Sequence, residues 1–186
     1  GQIMMNAAAV TDMLFNLGTL FTFSLAGGAA VLVGKAAGSG NVPLVRQYSK
    51  RIQIMFLFVG IVMAALVFFL RAPFFRLYDL DAQTLSLALT MAGICAPTLI
   101  GTSYHASCFV GINRGAGDSR FVMLVDMICG WLIVLPSAFL AAFVLKLPLH
   151  WVYFSTRIDQ SFKWIIAFLR LRGDRWIYKL TREDTQ

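Results

Sequence analysis

Ile52–Leu70, with the sequence IQIMFLFVGIVMAALVFFL, contains no charged side chain. A helix of about 20 apolar residues crosses the ~30 Å hydrocarbon layer of a bilayer, and it satisfies its own backbone hydrogen bonds there. Further apolar runs, the last of them weaker, occur at Met4–Val33, Thr84–Ile112, Phe121–Leu145 and Leu147–Leu171. The sequence therefore predicts an all-α integral membrane protein, a bundle of five transmembrane helices.

The composition argues against most soluble functions. Of the 186 residues, 59% are hydrophobic and 13% charged, whereas a soluble domain has about 25% charged residues. The net charge of +7 does not indicate nucleic-acid binding, because the basic residues lie between the apolar runs. No GxSxG, HExxH or P-loop motif is present, and Cys95, Cys108 and Cys129 lie inside apolar runs. We expect the lipid bilayer as a partner, and no enzyme activity, cofactor, metal site or nucleic-acid partner.

The basic residues predict the orientation of the helices, because cytoplasmic connections of membrane proteins are enriched in Lys and Arg. Eleven basic residues fall after the first, third and fifth runs. Only three fall on the other side, at Arg71, Arg76 and Lys146. The first helix is therefore expected to run towards the cytoplasm. Residues 1–172 would form a transmembrane lobe, and residues 173–186 a cytoplasmic tail.

Two local features concern the shape of individual helices. The fifth run contains Arg157, Asp159 and Lys163. Asp159 and Lys163 are four residues apart with the acid first, the spacing of an ion pair along a helix. A helix lying on the membrane surface remains an alternative for this run. Pro97 and Pro136 lie inside the third and fourth runs, where proline removes a backbone hydrogen bond and kinks a helix.

Polar side chains inside the apolar runs are candidates for an ion or solute pathway, because ionisable groups at membrane depth are costly. The candidates are Asp12, Asn16, Thr98, Thr102, His105 and Asp126. The competing interpretation is hydrogen bonding between helices, worth ~0.6 kcal/mol per bond. It is favoured for Asn16 and the threonines. For Asp12 the favoured interpretation is a solvated side chain close to the outer surface, and for His105 a structural histidine whose hydrogen bonds are satisfied. Both interpretations stay open for Asp126, which could pair with Arg120 or with a base on a neighbouring helix.

Three motifs resemble those of the multidrug and toxic compound extrusion (MATE) transporters. The first is GAAVLVGKAAGSG at 28–40, followed by the basic stretch 46–51. The second, GINRGAGDSRF at 111–121, resembles the Arg-Gly-x-x-Asp loop of the family, and the third is WLIVLP at 131–136. The resemblance implies structural loop roles for Gly34, Gly38, Arg114, Gly115 and Asp118. Asp118 would cap the following helix beside Arg120.

The resemblance also implies an architecture and a function. Family members have two six-helix lobes, and this chain is similar to about helices 8–12 of the second, with residues up to about Met5 as the end of helix seven. An N-terminal lobe of the same protein, absent from this sequence, would then be a partner. The implied function is secondary-active efflux of organic or drug-like solutes in antiport with Na+ or H+, by alternating access. The implied location is the plasma membrane, as a multi-pass protein of the bacterial inner membrane.

One departure from the family pattern bears on coupling. One branch has an acidic cation ligand in the helix before the Arg-Gly-x-x-Asp loop, and Ser103 stands at the matching position here, with Leu99 in place of that branch's tyrosine. Coupling would then depend on carboxylates in the other lobe. The alternatives are a lipid-linked oligosaccharide flippase of the same superfamily, which needs a more cationic cavity, and a non-transporting membrane scaffold or receptor. A membrane-embedded enzyme would need paired reactive residues at one depth.

The predicted orientation can be tested by cysteine labelling. A cysteine introduced by Val42→Cys should react with a membrane-impermeant maleimide only from the cytoplasmic side, because basic residues surround it. Asp79→Cys should react only from outside. Labelling of intact cells and of inverted vesicles provides the measurement, and the reverse pattern would contradict the orientation.

Overall fold

The computed structural model describes residues 2–157, 159–173 and 176–177, and this part of the chain is helical without strands. Its α-helices are α1 (Gln2–Gly38), α2 (Val42–Phe75), α3 (Ala82–Cys95), α4 (Thr98–Ala106), α5 (Ser119–Cys129), α6 (Leu135–Phe139), α7 (Leu149–Ser155) and α8 (Asp159–Arg172). Three π-helical segments extend them, at Ser107–Asn113, Gly130–Val134 and Leu140–Val144. The predicted all-α fold is confirmed.

Four of the predicted runs form helices of membrane-spanning length. α1, α2 and the continuous helix Ser119–Val144 are each long and apolar enough to cross a bilayer. α3, followed by α4 and its π-helical continuation, forms a fourth candidate span that is bent by 50°. α1 passes through Met5 without a break, so the helix boundary expected there is absent.

The fifth run differs from the prediction, because Leu147–Leu171 is divided into the two short helices α7 and α8. Within the described residues neither is long enough to be a candidate span. The polar residues that follow Ser155 end α7, and the charged side chains of α8 form ion pairs with the rest of the bundle. α8 also packs on protein, since Ala167 is fully buried in a cluster with Cys108 and Phe109.

The two intramembrane prolines act differently. Pro97 lies at the 50° bend between α3 and α4, where it donates no backbone hydrogen bond. The Thr98 hydroxyl donates to the Cys95 carbonyl at 2.6 Å. Pro136 lies in the first turn of α6, between two π-helical segments, and the helix Ser119–Val144 continues through it. Local rewinding of this kind accommodates proline without a break.

The connections predicted to be cytoplasmic lie together at one end of the bundle. Ala36 at the end of α1, Val45 at the start of α2, and Ala116 in the connection to α5 belong to one buried cluster. Trp176 joins it and is 2% exposed, so this part of the predicted tail packs against the lobe. Residues 174–175 and 178–186 of that tail lie outside the described residues.

Close backbone contact at this end depends on glycine. A Cβ on Gly115 would lie 2.6 Å from the Gly111 carbonyl oxygen and 2.7 Å from that of Ala30. A Cβ on Gly34 would lie 3.3 Å from the Gly115 oxygen. α1 therefore contacts the connection 114–118 backbone to backbone. Gly38 differs from both, because a Cβ there would meet nothing within 4 Å.

Two alanine substitutions test this contact. Gly115→Ala should destabilise the protein by about 1–3 kcal/mol, because the added methyl overpacks two backbone carbonyls. Gly38→Ala, the matched control at the same end of the bundle, should change stability by less than about 0.5 kcal/mol. Thermal unfolding in detergent, followed by circular dichroism, measures both. Equal losses of Tm would contradict the assignment of the contact to Gly115.

Candidate ion and solute pathway

A buried lysine shared by two carboxylates is the central feature of the site. Lys163 on α8 places its Nζ 3.0 Å from Oδ1 of Asp126 on α5 and 2.8 Å from Oδ2 of Asp159. The Lys163 side chain is only 10% exposed. Arg114 approaches the other oxygen of Asp126 at 3.8 Å and is half exposed. The negative charges of the two acids are thus balanced by the positive charges of the two bases.

Asp126 lies well inside α5 and is still accessible. It lies seven residues beyond Ser119, the first residue of α5, which corresponds to about 10 Å along the helix axis. Its side chain is 38% exposed, whereas Asp159 is 10% exposed. An ion could therefore reach Asp126 while Lys163 holds its other side. The observed partner Lys163 is a base on a neighbouring helix, one of the two alternatives expected for this acid, rather than Arg120.

His105 on α4 lies beside this cluster without bonding to it. It is 7% exposed, and neither ring nitrogen has a hydrogen-bond partner among the described residues. The ring packs edge-on against Phe109, with centroids 4.8 Å apart. Buried polar atoms without partners are rare in folded proteins. Burying His105 in this way is therefore costly, and α4, which carries it, packs against α8.

Asp12 belongs to a second, separate cluster. Its Oδ1 accepts hydrogen bonds from Nη2 of Arg157, at 2.6 Å, and from the hydroxyl of Tyr153. The Arg157 guanidinium lies 3.8 Å above the ring of Phe15, and its side chain is 20% exposed. Asp12 therefore ties α1 to the connection between α7 and α8. Sequence reasoning missed both partners, because no spacing rule links residues more than 140 positions apart.

The remaining polar candidates do not converge on either cluster. The Thr102 hydroxyl donates to the carbonyl of Thr98 at 3.0 Å, within its own helix, and Thr98 bonds back across the Pro97 bend. Asn16 is exposed on α1. Thr22 and Ser103, which were not among these candidates, form an interhelical pair at 3.2 Å. It joins α1 to α4.

Asp118 anchors a connection rather than capping a helix. It precedes α5 but makes no side-chain cap bond there, which corrects the expected capping role. Its Oδ2 instead accepts from Nε and Nη2 of Arg170, at 2.9 and 2.7 Å, and Asp118 is 2% exposed. The Arg170 guanidinium also lies 4.5 Å above the ring of Phe121. The expected neighbour Arg120 is replaced by a base on α8.

Comparison with known proteins identifies the class of membrane protein. The MatE family model matches residues 1–155, so the chain belongs to the MATE family, a family of transporters. It is 27% identical over 164 residues to the uncharacterised transporter YisQ of Bacillus subtilis, covering 86% of this chain and 35% of that protein. It is 25% identical over 146 residues to the probable multidrug resistance protein NorM of Pasteurella multocida, covering 76% and 29%.

A solved structure agrees on the fold. An outward-facing multidrug resistance MATE family transporter of the MOP superfamily matches 96% of this chain and 40% of its own, with a TM-score of 0.59 and 17% identity. The chain spans about a third of the length of the curated relatives just named.

Two charge-removing substitutions test the shared lysine. Lys163→Gln should destabilise the protein by about 3–5 kcal/mol, because it leaves two carboxylates without a buried counter-charge. Arg114→Gln removes the same charge from the same cluster, but at a longer distance and a half-exposed position. It should cost less than about 1 kcal/mol. Thermal unfolding in detergent measures both. A loss for Arg114→Gln as large as that for Lys163→Gln would show that Lys163 is not the central charge.

Proposed function

We propose that this chain is part of a secondary-active transporter that exports organic or drug-like solutes in exchange for Na+ or H+. The match of the MatE family model over residues 1–155 carries the proposal. The relative named as a probable multidrug resistance protein supports export of drug-like solutes. The protein would lie in the plasma membrane, that of a bacterial cell, with its C-terminus in the cytoplasm.

We assign the coupling-ion contact of this lobe to Asp126. Its carboxylate is 38% exposed, more than that of Asp159, the other acid of the cluster, and the Lys163 Nζ lies 3.0 Å from one of its oxygens. A proton or Na+ that binds Asp126 competes with Lys163 for the same carboxylate. Since a ligand shifts an equilibrium only by its differential affinity for the two states, this competition would link ion occupancy to the position of α8.

α4 would carry this change into the bundle. It lies between the Pro97 bend and the π-helical segment Ser107–Asn113, and such segments are frequent at functional sites. His105 lies on α4 beside the cluster, buried and without a hydrogen-bond partner among the described residues. A movement of Lys163 on α8 would change the field at His105, and the bend would let α4 tilt relative to α3 as access alternates.

The alternatives predict different results. A flippase of the same superfamily would need a more cationic cavity, whereas the relative named as a multidrug resistance protein favours solute export. A non-transporting scaffold or receptor would tolerate replacement of the polar residues inside the helices.

Residues of the other lobe in longer family members would complete the cavity, and carboxylates there would share the coupling. By the resemblance, Ser103 matches the position of the acid of one branch, and its partner Thr22 supplies no charge there.

Ethidium efflux from cells that express the complete gene product containing this chain tests the function. Efflux should depend on a Na+ gradient or stop with a protonophore, and the treatment that stops it identifies the coupling ion. Asp126→Asn should lower gradient-dependent efflux by about tenfold or more, equal to about 1.4 kcal/mol of ion binding, at unchanged membrane expression.

Asp79→Asn is the matched control for that substitution. It makes the same chemical change at an exposed position in the connection before α3, and it should leave efflux unchanged. Equal efflux by Asp126→Asn and the wild type would refute the coupling role and leave the export proposal standing. Absence of efflux in well-expressed wild type, for every dye tested, would refute export of drug-like solutes.

A further inference from the structure

Two cavities meet along the groove between α2 and α8. The first has a volume of about 400 Å³, near the start of α2, and its walls include Arg46, Ser49, Lys50, Gln53, Phe168 and Arg172. The second has a volume of about 390 Å³ and is lined by Leu57, Ile100, Gly101, Tyr104, Trp164 and Phe168. Because Phe168 lines both, they form one continuous groove, called here the α2–α8 groove.

The first cavity is the basic end of the groove. Among the described residues that line it, none is acidic and three are Lys or Arg. The Arg172 guanidinium lies 4.6 Å above the ring of Phe168, which holds its charge where the two cavities join. Trp176 also lines this end, and its buried Nε1–H has no acceptor among the described residues. This end is therefore built to contact an anion that carries oxygen acceptors.

The second cavity is the apolar end. Leu57 is 44% exposed and Trp164 is 42% exposed, so both present a large apolar surface. The Tyr104 hydroxyl, in the second cavity, donates to Oε1 of Gln53, in the first cavity, at 2.7 Å. These two polar groups therefore satisfy each other where the cavities join. Lys50 and Leu57 are seven residues apart on α2, about 10 Å along the axis. The groove thus changes from cationic to apolar over about 10 Å. This length matches the distance from the phosphate of a phospholipid to the first part of its acyl chain.

We propose that the α2–α8 groove binds an anionic phospholipid of the bilayer. Its phosphate lies between Lys50 and Arg172, and one acyl chain lies against Leu57 and Trp164. A cationic solute is repelled by the basic end, and a free phosphate leaves the apolar end uncovered. The basic end lies on the side that the charge pattern predicts to be cytoplasmic, the leaflet with anionic head groups. The proposal does not depend on which solute is transported.

Quenching of tryptophan fluorescence by brominated lipids tests this proposal. The protein is placed in phosphatidylcholine–phosphatidylglycerol nanodiscs in which either lipid, at equal mole fraction, carries dibrominated chains. The contribution of Trp164 is the difference between the wild type and Trp164→Phe, since the variant keeps the lipid-exposed Trp131 and Trp151 as bulk reporters. Brominated phosphatidylglycerol should quench Trp164 more strongly than brominated phosphatidylcholine does. The binding preference for phosphatidylglycerol over phosphatidylcholine should be about fivefold for each basic residue that contacts the phosphate. Equal quenching by the two lipids would overturn the proposal.

Charge variants separate a specific site from general attraction to the surface. Lys50→Gln with Arg172→Gln should abolish the preference. The matched control is Lys35→Gln with Arg51→Gln, which removes the same two charges from exposed positions at the same end, outside both cavities. The control should keep the preference, and an equal loss would overturn the site. Inorganic phosphate at constant ionic strength should leave the quenching unchanged. Displacement by phosphate would assign the basic end to a soluble anion instead.

Discussion

Ion pairs between the C-terminal segment and the rest of the bundle are the constraint on which this structure depends. Arg157 pairs with Asp12 on α1, Lys163 with Asp126 on α5, and Arg170 with Asp118. Each joins a base from 157–172 to an acid far away in the sequence. In a low-dielectric setting a charge without its partner is costly. These pairs therefore fix both the rotation and the depth of α8, which its modest apolar surface alone would not do.

The same pairs explain why the candidate site is assembled where it is. α8 approaches α4 and α5 with Lys163 inward, which brings its charge next to His105 and to the exposed oxygen edge of Asp126. Its opposite flank, with Trp164, Phe168 and Arg172, forms one wall of the groove against α2. One helix thus takes part in the proposed ion contact on one side and in the proposed lipid contact on the other. A shift of α8 would therefore change both the proposed ion contact at Asp126 and the proposed lipid contact in the α2–α8 groove.

The sequence predicted the elements better than their partners. Uncharged runs such as Ile52–Leu70 predicted the long helices, because a backbone in lipid must satisfy its own hydrogen bonds. Pro97 predicted the position of the bend. The spacing of Asp159 and Lys163 indicated their pair, since four residues make one helical turn. The partners of Asp12, Asp118 and Asp126 depend on tertiary packing across long separations, which no local pattern encodes. The division of the fifth run has the same cause, since its charges are satisfied only within the assembled lobe.

The polarity of α8 also has a consequence for how the protein is made. The translocon admits a helix into the membrane according to its apolarity, and Asp159, Lys163 and Arg170 make α8 a poor candidate on its own. Lys163 and Arg170 are paired with Asp126 and Asp118, acids on segments synthesised earlier, whereas Asp159 pairs with Lys163 inside α8. Docking of α8 is therefore expected to follow the assembly of α4 and α5, the helices against which it packs. Docking of α8 onto helices that are already assembled would order the biogenesis of this lobe from the N-terminal side.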